Sequence, residues 1–353
     1  MAKSEFKGIS IRGIGAAVPG NTISILEDHT FCPAPDRKKI SDLTGVLSYR
    51  KAGDGLCTSD LCVGAAKALL DGLGTDPKTI DAVVFATMTP DYKAPSTACV
   101  LQDRLGLSHS VVAYDINMGC SGYMVGLYNA CSLIQGAGLK RVLLLAGDTQ
   151  TRLCHDKDKN VVFLLGDGGT ATLLENDPEA VQPIKIELFT DGSRFRNLYV
   201  PAGGFRTPST EATREVHERT DGGLRSDDHL YMDGMEIFKF SSTDVVRSIQ
   251  DFMDAEGISS NDMDYLVLHQ ANKFMNDKIA RKLKFPPEKV AYSIAVYGNT
   301  GSASIPLTIT HRFKEMKTGK NIRCLLSGFG VGLSWGVADL TLNGIYCPPV
   351  VEL

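Results

Sequence analysis

With 353 residues the chain is long enough for one large core or two fused domains of ordinary size. Its 37 Lys and Arg stand against 41 Asp and Glu, so no overall cationic field exists to attract nucleic acid or anionic lipid. A 43% hydrophobic and 22% charged composition excludes a disordered chain.

The opening stretch MAKSEFKGISIRGIGAAVPG lacks the unbroken apolar run of a secretion signal, because Lys7 and Arg12 interrupt it. No later segment reaches the roughly 20 apolar residues that span a bilayer. The nine cysteines are odd in number and contain no CxxC pair, which argues against a disulfide framework or a zinc site. A reducing cytoplasm is the expected setting.

From Ser59 the sequence reads as an amphipathic helix, a stop at Gly74, a short loop and an apolar strand. The same order returns from Ser242: Asp71, Gly74 and Asp81 recur as Asp254, Gly257 and Asp264, each 183 positions on. Farther along, VVAYDIN leads to Gly119-Cys120-Ser121-Gly122, and VAYSIAVY leads to Gly298-Asn299-Thr300-Gly301. RVLLLAGD from Arg141 corresponds to RCLLSGFG from Arg323. Helix–loop–strand units share some likeness by chance, but three aligned identities in the same downstream order favour an internal duplication. The expectation is an α/β chain of two pseudo-symmetric halves, residues 1–178 and 179–353, with mainly parallel strands buried on both faces.

Cys120 falls after a buried strand and before a helical stretch. A thiol there meets the positive end of the helix and unpaired backbone N–H groups, which lowers its pKa and favours a nucleophilic thiolate. A cysteine in such an apolar run is also an ordinary core residue. Residues 203–228 carry little apolar periodicity and read as a disordered or partly ordered surface loop, or as a lid. His269 ends the strand of the second repeat where the first has Ala86; it reads as a hydrogen-bonded core residue or as a group aimed at a shared centre. By the same echo Asn299 takes the place of Cys120, although Asn beside Gly is also plain turn chemistry. Lys278, Arg281, Lys282 and Lys284 form either a solvated face or a docking surface.

Eight motifs then occur in one order: TPDYKAPSTACVLQ from Thr89, GCSGY, GDT with Arg152, LLGDGG, MEIFKF, HQAN, GNTGSASIP and GFGVGLSWG. Over nearly the whole chain they resemble the β-ketoacyl-acyl carrier protein synthase III family. The resemblance implies a thiolase fold with αβαβα layers, a homodimer, and a site of Cys120, His269 and Asn299. The backbone N–H groups of Cys120 and Val331 align with an oxyanion hole, and Arg152, Lys39, Ala94 and Asn272 with substrate-binding positions. It also implies acyl-coenzyme A, malonyl thioesters and acyl carrier protein as substrates and partners, with no metal and no tightly bound cofactor.

Several positions depart from that pattern. Lys39 and Leu43 stand where family members often have Trp and Arg against coenzyme A, which disfavours that donor. Ala94 replaces a common Phe and implies room for a primer longer than acetyl. Val331 replaces Gly or Ala, Gly301 a common Ser, and Phe274 an Arg. Competing readings are transfer to another acceptor and a non-catalytic partner subunit. A hydroxymethylglutaryl-coenzyme A synthase ranks lower, since MTPDYKAP offers no convincing glutamate.

Overall fold

The computed structural model describes residues 2–313 and 321–353. Two mixed sheets carry the fold. The first runs, across the sheet, Val351–Glu352, Ile9–Val18, Gly168–Asn176, Arg141–Asp148, Ala82–Thr87 and Val112–Asn117. The second runs Ala2–Phe6, Ile184–Thr190, Ser334–Asn343, Asn321–Gly330 and Tyr265–Leu268.

Five layers result. The helices Gly122–Ala137 and Ser304–Phe313 lie between the sheets, burying Tyr123, Met124, Leu127, Ile305, Ile309 and Phe313 against strand residues from both. Thr58–Leu73 and Thr97–Arg104 cover the outer face of the first sheet. Val246–Glu256 and Lys273–Lys282 cover the outer face of the second. Because each sheet is covered on both sides, Ala82–Thr87 is buried at every residue, and its sequence shows no alternation.

The repeated residues have matching jobs. Gly74 and Gly257 both end their helices in the left-handed conformation, at φ 62° and 64°. Asp81 accepts the backbone N–H of Arg141 at 2.9 Å, and Asp264 that of Arg323 at 2.8 Å. Each carboxylate fixes the register between the strand it precedes and the neighbour beside it. The third identity is a backbone matter: Asp71 and Asp254 offer their carbonyls to the glycine stops.

The expectation of mainly parallel strands needs correction. Ala82–Thr87 is parallel to both neighbours, and Tyr265–Leu268 to Asn321–Gly330, but the remaining major pairings are mixed and most are antiparallel. Asn321–Gly330 and Ser334–Asn343 are joined by residues 331–333 alone, a link too short for a parallel crossover. Residues 203–228 are not disordered. They contain the short helix Glu211–Arg214 and the strand pair His217–Glu218 and Leu224–Arg225. Buried Arg225 pins this segment to Asp158 at 3.3 Å.

Close approach of helix to sheet sets a steric limit. A Cβ on Gly15 would lie 2.5 Å from the carbonyl oxygen of Ala65, a backbone atom of the covering helix that cannot step aside. Gly15→Val is therefore expected to destabilise the fold by about 2–3 kcal/mol, read as a lower urea midpoint at unchanged slope.

Candidate active site

Cys120 sits in the turn between Val112–Asn117 and the central helix Gly122–Ala137, and is 8% exposed. The backbone N–H groups of Val331 and of Cys120 itself lie near its sulfur and favour the thiolate. Val331 belongs to the hairpin turn after Asn321–Gly330, so a strand end from the second sheet closes over a helix start behind the first. Gly330 makes this contact possible: a Cβ there would stand 2.6 Å from Cys120 Cβ and 2.7 Å from its sulfur. At φ 155° its backbone also lies where L side chains are rare.

The thiol pKa runs against the expectation. Burial pushes it up to about 11, and the nearby Asp148 carboxylate adds to the rise. The two backbone N–H groups pull the other way and lose. The helix start does not offset removal of the sulfur from water.

His269 follows Tyr265–Leu268 and continues the parallel pairing, its N–H donating to the Ser327 carbonyl at 2.8 Å. Its Nδ1 lies 2.7 Å from Ser304 Oγ, and its ring meets Phe329 edge-on at 5.6 Å. At 1% exposure, desolvation lowers its pKa to about 3, and a bond to the Gly301 backbone only partly opposes this. The imidazole is neutral at ordinary pH.

Asn299 is held by its main chain. Its N–H donates to the Leu164 carbonyl, and its carbonyl accepts from the Gly166 N–H, both at 2.8 Å, and from Gln150 Nε2. Its Oδ1 accepts the Gly301 N–H at 3.0 Å, so the side-chain NH2 is the end left to meet a ligand. Gly301 thus touches both Asn299 and His269. The next residue, Ser302, faces the start of the central helix, where its Cβ is 3.1 Å from the Cβ position of Gly122. Cys120, His269 and Asn299 are therefore carried by segments that touch one another.

The other expected positions lie apart. Lys39 and Leu43 line a surface groove of about 590 Å³ between the helix Ala34–Thr44 and the strand pair of residues 217–225. Arg152 is exposed and donates to the Gly53 carbonyl at 2.9 Å. Asn272 Oδ1 accepts the Met275 N–H at 2.7 Å and so caps the helix Lys273–Lys282. Ala94 is exposed in the loop before Thr97–Arg104.

Sequence reading missed four supporting residues. Ser304 holds the imidazole, and Ser121 and Ser334 join across the halves. Asp148 is fully buried and accepts from Thr87 Oγ1, Met88 N–H, and the N–H and Oγ of Ser302. Burial raises its pKa to about 6. A carboxylate closing the apolar strand RVLLLAGD was the available signal for it.

The structure superposes on the 3-oxoacyl-(acyl-carrier protein) synthase of Burkholderia xenovorans LB400 with a TM-score of 0.92 and 36% identity, covering 99% of each chain. Against 3-oxoacyl-(acyl carrier protein) synthase III of Pseudomonas aeruginosa PAO1 the TM-score is 0.81 at 30% identity, over 96% of this chain and 99% of that one. The fold is that of the thiolase class. Family models described as 3-oxoacyl-[acyl-carrier-protein] synthase III and its C-terminal part match residues 114–192 and 253–342. The β-ketoacyl-[acyl-carrier-protein] synthase III of Agrobacterium fabrum is 34% identical across 94% of this chain and 98% of its own length. That of Rhodopirellula baltica is 33% identical across 95% and 98%. The chain belongs to the 3-oxoacyl-[acyl-carrier-protein] synthase III family, and it is an acyltransferase.

The neutral imidazole has a stability signature. Between pH 6.5 and about 3 the unfolded chain takes up a proton at His269 that the native state refuses, so this residue makes stability fall as pH drops. Asp148, raised to about 6, acts in the opposite sense. His269→Gln is expected to lose less stability than the native protein between about pH 7 and pH 5, measured by urea unfolding. Equal slopes would contradict a neutral His269.

Proposed function

We propose that this enzyme condenses an acyl group held on Cys120 with a malonyl group carried by acyl carrier protein. The observation that carries the reading is the Cys120 sulfur held against the Val331 N–H, with a neutral imidazole and a free carboxamide on adjoining segments.

In the first step the Cys120 sulfur attacks an acyl thioester, and the acyl group moves to sulfur. The thiol proton leaves with the departing thiol, which is how a group with a pKa near 11 reacts without standing as a thiolate. The tetrahedral oxyanion takes the N–H groups of Cys120 and Val331. In the second step a malonyl thioester loses carbon dioxide, and negative charge collects on its thioester oxygen. His269 is proposed to act in the tautomer that carries its hydrogen on Nε2, with Ser304 Oγ donating to Nδ1. That hydrogen and the Asn299 NH2 are neutral donors for this enolate, worth most in a site from which water is excluded. The enolate carbon then attacks the acyl-Cys120 carbonyl; a second oxyanion forms in the same hole and collapses to the β-ketoacyl thioester and the Cys120 thiolate, which takes a proton from solvent to return as the thiol.

Acyl-coenzyme A and acyl carrier protein thioesters are the proposed donors, with no tightly bound cofactor. Lys39, on the surface groove, is the cation proposed to meet a phosphate, and Arg152 remains exposed. An acidic carrier meets the basic helix Lys273–Lys282, where Lys278 lies over the Phe238 ring at 4.3 Å; Lys282 is instead tied to the Ser242 carbonyl. The working unit is a homodimer through Val112–Asn117, an edge strand paired on one side only among the described residues. Ala94 would then belong to a wall shared with the partner. The units are residues 1–178 and 179–353, a division supported by the matching strand orders, although Ala2–Phe6 pairs with the second sheet. Free thiols at all nine cysteines suit a cytoplasmic setting. No helix among the described residues is long and apolar enough to cross a membrane.

Intact-protein mass spectrometry with a panel of acyl thioesters is expected to place the acyl group on Cys120, and Cys120→Ala to remove it. His269→Ala is expected to slow malonyl decarboxylation by about a hundredfold while loading persists. Label on another residue would refute the assignment. Over a chain-length series, loading should extend beyond acetyl; a sharp acetyl preference would count against the role given to Ala94.

A further inference from the structure

Ser121 occupies the position from which a serine ordinarily caps a helix, its oxygen accepting a backbone N–H of the first turn. Here it makes no such bond. The side chain is fully buried and turns instead toward the second half, where its Oγ lies 2.6 Å from Ser334 Oγ. Ser334 Oγ donates its own hydrogen to the Val331 carbonyl at 2.8 Å. The hydrogen between the two hydroxyls therefore comes from Ser121, and the chain runs from Ser121 through Ser334 to Val331.

The end of that chain is the oxyanion turn. Val331 lies between Gly330 at φ 155° and Gly332 at φ 139°, and neither neighbour has a side chain to resist rotation of the adjoining peptide planes. Apart from the contact of the Cys120 sulfur with the Val331 N–H, the Ser334 bond is the sole side-chain hydrogen bond to the backbone of residues 330–332 among the described residues. Fixing the Val331 carbonyl limits the turn of this residue about its own backbone, and with it the aim of its N–H. Ser334 is itself fixed, since it is 3% exposed and pairs with Gly330 in the hairpin.

We propose that Ser334, oriented by Ser121, is a positioning residue that holds the Val331 N–H at the oxyanion site. The inference rests on the roles proposed for Cys120 and Val331. It also gives a chemical reason for a serine directly after the nucleophile: the hydroxyl forgoes the helix cap and secures a loop from the opposite half.

Three rates test it in the full-length native protein and in Ser334→Ala, Ser334→Thr and Ser121→Ala: acyl loading of Cys120, condensation, and malonyl decarboxylation. Decarboxylation develops its charge beside His269 and Asn299 and makes no use of the Val331 N–H. Ser334→Ala is expected to lower the maximal rates of loading and condensation by about ten- to a hundredfold at unchanged KM, with decarboxylation within about twofold of native. Ser334→Thr keeps the hydroxyl and is expected to restore most of the loss. Ser121→Ala, which leaves the Ser334 donor in place, is expected to cause a smaller drop, and it keeps the test decisive if Ser334→Ala fails to fold. Native loading rates in Ser334→Ala, or an equal fall in all three rates, would overturn the proposal. A native protein that acquires no acyl group at Cys120 would remove the underlying reading and this one with it, an outcome visible before any variant is made.

Discussion

Gly330 comes so near Cys120 that no side chain fits between them, and this proximity joins the two sheets at the sulfur of the proposed nucleophile. The turn that leads into the central helix supplies the thiol and one N–H, and the hairpin of the second sheet supplies the other. A shift of either sheet relative to the other would part them. Packing of Tyr123, Met124 and Leu127 between the sheets is thus also what sets the distance from sulfur to amide. The geometry of the proposed site inherits its rigidity from the core rather than from a loop.

Burial then decides the electrostatics. The thiol is pushed toward its protonated form and the imidazole toward its neutral one, so the centre of the site carries little fixed charge. Asp148, close by, is raised as well and is surrounded by donors from both halves. In such surroundings charge that develops during reaction finds aligned N–H groups and little competing water. A permanently ionised centre would lose part of that advantage, because its own field would be answered before the substrate arrived.

Much of this was legible in the chain. The repeat could be read because Gly74 and Gly257 meet a backbone requirement, and because Asp81 and Asp264 hold neighbouring strands in register; such constraints preserve residue identity. Cys120, His269 and Asn299 stood out because each falls where an apolar strand gives way to a turn. The pKa of Cys120 was not legible, since local position predicts a drop while the rise comes from residues distant in sequence. Strand direction was misread where short links impose antiparallel pairing. Ser121 carried no signal of its own in the sequence, and only its partner 213 positions later gives it one. Arg225 looked like part of a polar surface segment until Asp158 gave it a buried partner.

The two sheets exchange strands. Ala2–Phe6 lies along the edge of the second sheet, whereas Val351–Glu352 adds to the first beside Ile9–Val18. Neither sheet is complete with residues from its own half. During synthesis on the ribosome, Ala2–Phe6 must wait for Ile184–Thr190 to emerge before it finds its place, and Ile9–Val18 stays uncovered on one side until the segment near residue 351 has emerged. The crossing thus acts as a clasp that closes only once both partners of each pair have been made.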